Sequence, residues 1–273
     1  MIVSINYSDQ NFKKKQRLNS WTAKHIGKVD KVISYSSADI DLDFFEANKE
    51  ILTQKRGGGY WLWKPYIILK TLNELNDGDF LFYVDSGIQF IKNVNGLITK
   101  LEQSGQEIMV FQLPLLEIQW TKKEVFDYFD ISNNDFLYSN QIMASTLCLK
   151  KNENSVSFVK KWLGICQNQS LLLPSSNLHL DEYKCFIAHR EDQSLLSVLS
   201  KISNIKPFSD PTDFGKFPYQ YLKTNRLFNI TEFDAAFSLN ETYFLHNRTN
   251  NPFLYFFKYL IKIVLLRFSL FII

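Results

Sequence analysis

Apolar and polar positions along the chain follow two periods, and the change between them marks the elements. "IVSINY", residues 2 to 7, reads as a short buried strand, and residues 9 to 27 carry Leu18, Trp21, Thr22 and His25 at helical spacing before Gly27. "KVISY", 31 to 35, is the next strand, so the chain opens as a βαβ unit and points to a largely parallel sheet. From Pro65 to Leu75 the spacing of Ile68, Leu72 and Leu75 predicts a helix, after which "NDGD" turns the chain into "FLFYV", 80 to 84. A strand that apolar on both faces belongs in the middle of a sheet.

Further strands are expected at "EIMVFQL", 107 to 113, and "QIMASTLCL", 141 to 149. Between them "TKKE", 121 to 124, has capping-box spacing for a helix carrying Val125, Phe126 and Phe129. A helix from Ser155 to about Cys166 follows, and another begins at "HREDQS", 189 to 194, with Leu195, Leu196 and Leu199 on one face. No repeat or low-complexity linker interrupts the pattern before about Asn251. The expectation is one α/β domain over residues 1 to 251, with a mostly parallel central sheet flanked by helices, and a C-terminal hydrophobic and basic helix over 252 to 273.

That last segment, "PFLYFFKYLIKIVLLRFSLFII", is long enough to span a bilayer, but Lys258, Lys262 and Arg267 interrupt it. A charge near the centre of a spanning helix costs ~2.5 to 3.5 kcal/mol, so a helix lying in the interface of an anionic membrane surface is favoured. The three cations do not share one narrow face, because Arg267 projects opposite Lys258 and Lys262. Docking of the helix on the domain is the competing expectation.

Composition narrows the classes. The 273 residues can bury a large core, and 24 Phe, 13 Tyr and 5 Trp supply aromatic faces that suit sugars and bases but equally fill cores. A net charge of +3 gives no basis for nucleic-acid binding. Cys148, Cys166 and Cys185 are odd in number and lack C-x-x-C spacing, which argues against a disulfide framework or a structural zinc and favours a reducing cytoplasm. The start "MIVSINYSDQ" has no secretory-signal pattern.

Chemistry concentrates in four places. "RGGGYWLWKPYIILKTL", 56 to 72, sets Gly57, Gly58 and Gly59 beside Arg56 and Lys64; glycines allow a sharp turn or a close backbone approach to a ligand. A turn leading into a helix with Trp61 and Trp63 packed inward would use the same residues. Asp85 follows directly on the buried strand and precedes Ser86 and Gly87, at the carboxyl end where ligands bind in open α/β sheets. Its carboxylate suits Mg²⁺ or Mn²⁺, and equally a solvated strand end. In "HREDQS", His189, Arg190, Glu191, Asp192 and Gln193 stand at a helix mouth, where Asp192 could serve only as a cap. In "FLHNRTNN", 244 to 251, His246 is a possible metal ligand and Arg248 a phosphate clamp. "RGGGYW" lacks G-x-G-x-x-G spacing, and "DIDLD", 39 to 43, lacks the glycine and glutamate of a calcium loop.

The order "IVSINYS", "RGGGYWLWKPYIILKTL", "GDFLFYVDSG", "HREDQSLLSVL" and "HNRTNN" resembles a family of bacterial glycosyltransferases found with capsule and lipopolysaccharide assembly. The likeness covers roughly residues 1 to 251, and "GYWLWKPYIIL" and "HREDQS" are its most specific blocks. It implies a GT-A-like fold that binds a nucleotide-diphosphate sugar at the first strands and a divalent metal, Mn²⁺ or Mg²⁺, through a D-x-D motif. Here Gly87 replaces the second acid, which leaves metal dependence open. Carried onto this chain, the resemblance implies donor binding by Tyr7, Arg56, Gly58, Gly59, Lys64, Asp85, Arg190 and Arg248. It also implies metal ligation by Asp85 and His246, and catalysis or acceptor positioning by Asp192 and Gln193. The acceptor would be a glycan or lipid-linked glycan, met by a cytoplasmic enzyme peripheral on the inner face of the membrane. A nucleotidyltransferase, or an inactive glycan-binding protein, remains compatible with the same residues.

Overall fold

The structure is a computed structural model that describes residues 1–174, 182–247 and 251–267. Its centre is a six-stranded sheet in the order β2-β1-β3-β6-β5-β7, formed by β1 (Ile2–Tyr7), β2 (Lys31–Tyr35), β3 (Phe80–Val84), β5 (Ile108–Leu116), β6 (Asn140–Lys150) and β7 (Phe208–Ser209). The β1–β2, β1–β3 and β5–β7 pairs are parallel, and β6 alone runs against its neighbours β3 and β5. The expected mostly parallel sheet is therefore present, with the FLFYV strand inside it. A small second sheet pairs β4 (Ile88–Phe90) with β8 (Phe244–His246).

Alternation along β3 divides the interior. Leu81 and Tyr83 face one core with Val3, Ile5, Ile67, Ile68, Leu72, Phe158, Trp162 and Leu195. Phe82 and Val84 face the other with Met109, Phe111, Leu97, Leu101 and Phe244. Helices Trp63–Glu74 and Glu153–Cys166 cover the first face, and Glu191–Ile202 lies against β6. Each fully buried large apolar side chain contributes about 1.5–3 kcal/mol, so both faces hold β3 in place.

The helices differ from the sequence pattern where polar side chains are recruited inward. Residues 9 to 27 form a short turn and the helix Lys13–His25, whose buried positions are Gln16, Asn19, Thr22 and Ala23, while Trp21 is exposed. Those polar groups have partners that explain the inversion. The Gln16 amide donates to the Tyr35 carbonyl (2.7 Å), and the Asn19 amide donates to the carbonyls of Asp85 (3.2 Å) and Ile88 (2.7 Å). The TKKE capping box does not form, because the Thr121 hydroxyl donates instead to buried Glu117 (2.6 Å) and Lys122 becomes the cap of Lys123–Tyr128. Asp192 is likewise not a cap; the cap position of its helix is Arg190.

The C-terminal helix Pro252–Arg267 docks on one side and exposes the other. The Tyr255 hydroxyl donates to Asp213 (2.6 Å), Tyr259 meets Phe217, and Lys262 lies over the Phe217 and Tyr219 rings. Phe253, Leu254, Phe257, Leu260, Ile261 and Val264 remain exposed. Among the described residues no helix is long and apolar enough to cross a membrane.

Candidate active site

The carboxyl ends of β1 and β3 open into a cavity of about 500 Å³. The chain after β1 supplies Tyr7, Ser8 and Asp9; the chain after β3 supplies Asp85, Ser86 and Gly87; the glycine turn, β6 and the mouth of the Glu191–Ile202 helix close it. The loop after β3 is held firmly. The Ser86 hydroxyl donates to the Tyr7 carbonyl (2.9 Å), and the Asp85 amide donates to the Ser145 carbonyl (2.9 Å).

The glycine turn has an unusual backbone. Gly57, Gly58, Gly59, Tyr60 and Trp61 all have positive φ, from 51° to 96°, making one left-handed turn. Left-handed conformation costs roughly 1–2 kcal/mol for each non-glycine residue, which Tyr60 and Trp61 bear and the glycines avoid. At Gly59 a Cβ would also stand 2.7 Å from the Leu52 Cα. The Trp63 indole N–H donates to the Gly57 carbonyl (2.9 Å), and the Trp63 ring stacks on Tyr7 at 3.8 Å. The turn thus forms one wall and delivers the Trp63–Glu74 helix, whose second residue is Lys64.

Lys64 organises the floor. Its ammonium is buried and lies 2.6 Å from Asp192 Oδ2 and 3.9 Å from Asp85 Oδ1, while the Tyr83 hydroxyl donates to that same Asp85 oxygen (2.5 Å). Burial pushes the Asp192 carboxyl up to about 6, against the opposing pull of Lys64. Gln193 donates to Gln141 Oε1 (2.8 Å), and the Trp162 indole N–H donates to the Asp192 carbonyl (3.1 Å). Asp85 and Asp192, far apart in sequence, therefore share one ammonium.

The arrangement of the chain is shared with solved structures. The galactosyltransferase LgtC, solved in complex with donor and acceptor sugar analogs, aligns over 91% of this chain and 87% of its own at 10% identity, with a TM-score of 0.50. The chain shares the fold of that galactosyltransferase. Mouse xyloside xylosyltransferase 1 aligns over 92% of this chain and 98% of its own (10% identity, TM-score 0.47). A glycosyltransferase involved in glycosylation of the major capsid of PBCV-1 aligns over 91% and 94% (10% identity, TM-score 0.48). No protein-family model and no curated protein matches the chain.

Within this fold the cavity gathers Tyr7, Gly58, Lys64, Asp85, Arg190, Asp192 and Gln193 from the sequence-derived set. Gly59 stands behind the wall. Arg56 does not line the cavity; its Nε donates to Glu191 (2.6 Å), tying the glycine turn to the helix mouth. Glu191 itself has a left-handed φ of 43°. Arg190 lies against the Trp120 ring at 4.3 Å. His189 is buried and held neutral, its imidazole pushed down to about 3 by burial and nearby cations, so it is a packing residue of this cluster.

His246 is not in the cavity wall: it pairs across the small sheet with Ile88 and stands 3.9 Å from Asp213. Arg248 lies outside the described residues. Among the described residues no group of three or more His, Cys, Asp or Glu side chains is placed to hold a metal. Asp85, however, is partly open to the cavity, and a hard cation that keeps its waters and binds substrate phosphates requires only one or two carboxylates. The donor set fits an ion shared with a phosphorylated substrate.

Sequence reasoning missed Lys55, Ser145 and the Tyr83 hydroxyl at the site, and Asn19 behind it. Tyr83 carried no signal beyond strand alternation. Asn19 was visible as a polar residue at a helical interval from Thr22, a face that apolar periodicity discards.

Proposed function

We propose that the protein transfers a sugar from a nucleotide-diphosphate donor to a hydroxyl of a growing cell-surface glycan. The observation that carries this reading is the buried Lys64 ammonium between Asp85 and Asp192 at the carboxyl ends of β1 and β3. Such a group stands where negative charge develops on a leaving diphosphate, and a preorganised cation in a water-poor site stabilises that charge strongly. Arg190 adds a second cation on the wall.

In this reading Asp85 would hold Mg²⁺ or Mn²⁺ beside the donor diphosphate, whereas His246, which the sequence offered as a second ligand, faces Asp213 outside the cavity wall and is not part of that site. The ion, when bound, supplies Lewis-acid neutralisation of the phosphate oxygens. Tyr7, Gly58 and Lys64 bind the donor. Asp192 orients the acceptor hydroxyl and accepts its proton, with Gln193 beside it; a carboxyl near 6 is closer to working pH than an ordinary aspartate, which suits proton transfer. Arg56 acts through Glu191 on the shape of the helix mouth. Arg248 is assigned to the diphosphate from the resemblance alone.

The acceptor is a glycan or lipid-linked glycan, and the exposed apolar face of the C-terminal helix rests on an anionic membrane surface at the inner face of the cytoplasmic membrane. Lys258 is exposed on this helix and gains roughly 1 kcal/mol near anionic headgroups. Bacterial capsule or lipopolysaccharide assembly is the setting that such an acceptor fits.

The test is a panel of nucleotide sugars scored by thermal stabilisation with and without Mn²⁺, followed by product analysis with the best donor. Release of nucleoside diphosphate supports glycosyl transfer, and release of pyrophosphate assigns nucleotidyl transfer instead. Asp85→Asn should keep the wild-type melting temperature within a few degrees and lose transfer; a fully active variant removes Asp85 from the mechanism.

A further inference from the structure

The loop that carries Asp85 is gripped from two sides. From the interior, Asn19 holds the carbonyls of Asp85 and Ile88. From the exterior, the Asn247 amide donates to the Gly87 carbonyl (2.9 Å) and His246 pairs with Ile88. This outer grip is anchored in turn by Asp213, a carboxylate 4% exposed. Its Oδ1 accepts the His246 amide (2.9 Å), and its Oδ2 accepts the Tyr255 hydroxyl (2.6 Å) from the C-terminal helix. An unbroken path of hydrogen bonds and strand pairing runs from that helix to the cavity wall.

We propose that Tyr255 and Asp213 form a clasp through which the C-terminal helix positions the Asp85–Gly87 loop, so that the helix sets donor affinity as well as location. Tyr255 is a positioning residue: it acts on the loop through Asp213, His246 and Asn247 and does not line the cavity. Asp213 can hold both β8 and the helix because a carboxylate offers several acceptor sites at once. Withdrawing the tyrosine hydroxyl leaves a buried charged oxygen short of a donor, which is costly and loosens the carboxylate that also fixes His246. Other contacts keep the helix docked without touching Asp213: Tyr259 meets the Phe217 ring and hydrogen-bonds through its hydroxyl with Thr242, and Lys262 lies over Phe217 and Tyr219. The substrate side of this inference rests on the glycosyl-transfer reading; the mechanical side does not.

The experiment compares full-length wild type, Tyr255→Phe and Tyr259→Phe in solution without membranes, so that location plays no part. Amide hydrogen exchange reads the clasp at Asn247 and Ile88, and thermal shift reads the apparent Kd of UDP, GDP, CDP and ADP, each with Mn²⁺. In Tyr255→Phe, exchange at Asn247 should rise about tenfold and the apparent Kd of the best nucleotide should weaken about tenfold, the scale of one hydrogen bond. Turnover at saturating donor should change less than twofold, and Tyr259→Phe should match wild type at Asn247. Unchanged exchange at Asn247 in Tyr255→Phe overturns the clasp. So does an equal rise in Tyr259→Phe, which would mean general loosening of the helix. If wild type binds none of the nucleotides, the glycosyl-transfer reading falls, and Asn247 exchange alone decides whether the clasp exists.

Discussion

Replacing Lys64 by methionine removes one charge from the floor of the cavity while keeping a chain of similar length beside Trp63 and Tyr83. The partner left behind is Asp192, largely buried at the cavity floor and 2.6 Å from the lost ammonium. Removing one member of a buried pair costs about 3–5 kcal/mol, because the remaining charge has neither water nor counterion. That cost depends on pH, since Asp192 can take a proton instead. Its carboxyl is raised from 3.8 to about 6 even with Lys64 present. For an acid raised in the folded state, the stability contributed by its protonation is fully present below the unfolded value and is lost as pH rises through the folded one. The shift is worth ~3 kcal/mol across that window, roughly pH 4 to 6. Without Lys64 the folded value moves higher still. Lys64→Met should therefore melt roughly 10 °C below wild type at pH 8, and much closer to it at pH 5. The assay is thermal unfolding followed by circular dichroism at both pH values. An equal deficit at pH 5 and pH 8 would refute the charge argument and assign the loss to packing. The same variant should bind the donor diphosphate at least tenfold more weakly at pH 8.

Gly59→Ala should be destabilised by roughly 2 kcal/mol or more, because φ is +96° and the new Cβ meets the Leu52 backbone; chemical denaturation with an unchanged slope and lower midpoint checks it. Deleting residues 252–273 should abolish binding to vesicles containing anionic lipid in a flotation assay, and equal flotation of both proteins would rule out the helix as the anchor.

The strands were legible in the sequence because their information is local. FLFYV is apolar at every position, and a strand buried on both faces requires that. The Asp85 assignment followed from it, since the first polar residue after a central strand lies at the sheet's carboxyl edge. Arg56 was less legible: its neighbours in sequence point to the cavity, but its partner Glu191 is set by tertiary packing. Asn19 and Gln16 were hidden for a further reason. Apolar periodicity finds faces that exclude water, whereas this helix face is buried to satisfy backbone carbonyls of the site loop. Lys64 was readable as a cation near the glycines but not as the shared counterion of two distant acids, because that role exists only once β3 and the Glu191–Ile202 helix converge.

The left-handed turn at residues 57–61 has a consequence for stereochemistry. Gly58, at φ 59° and ψ 46°, occupies the mirror image of an ordinary helical residue. The inherently favoured amino acid there is one of opposite chirality. D-alanine, placed at Gly58 by chemical ligation, would sit unstrained and would remove backbone freedom from the unfolded chain, a gain of about 0.4–1 kcal/mol of the kind that glycine replacement brings at compatible sites. Ribosomal synthesis offers no such residue, so glycine is the achiral substitute, and this wall of the cavity is built from the nearest available approximation to a D-peptide.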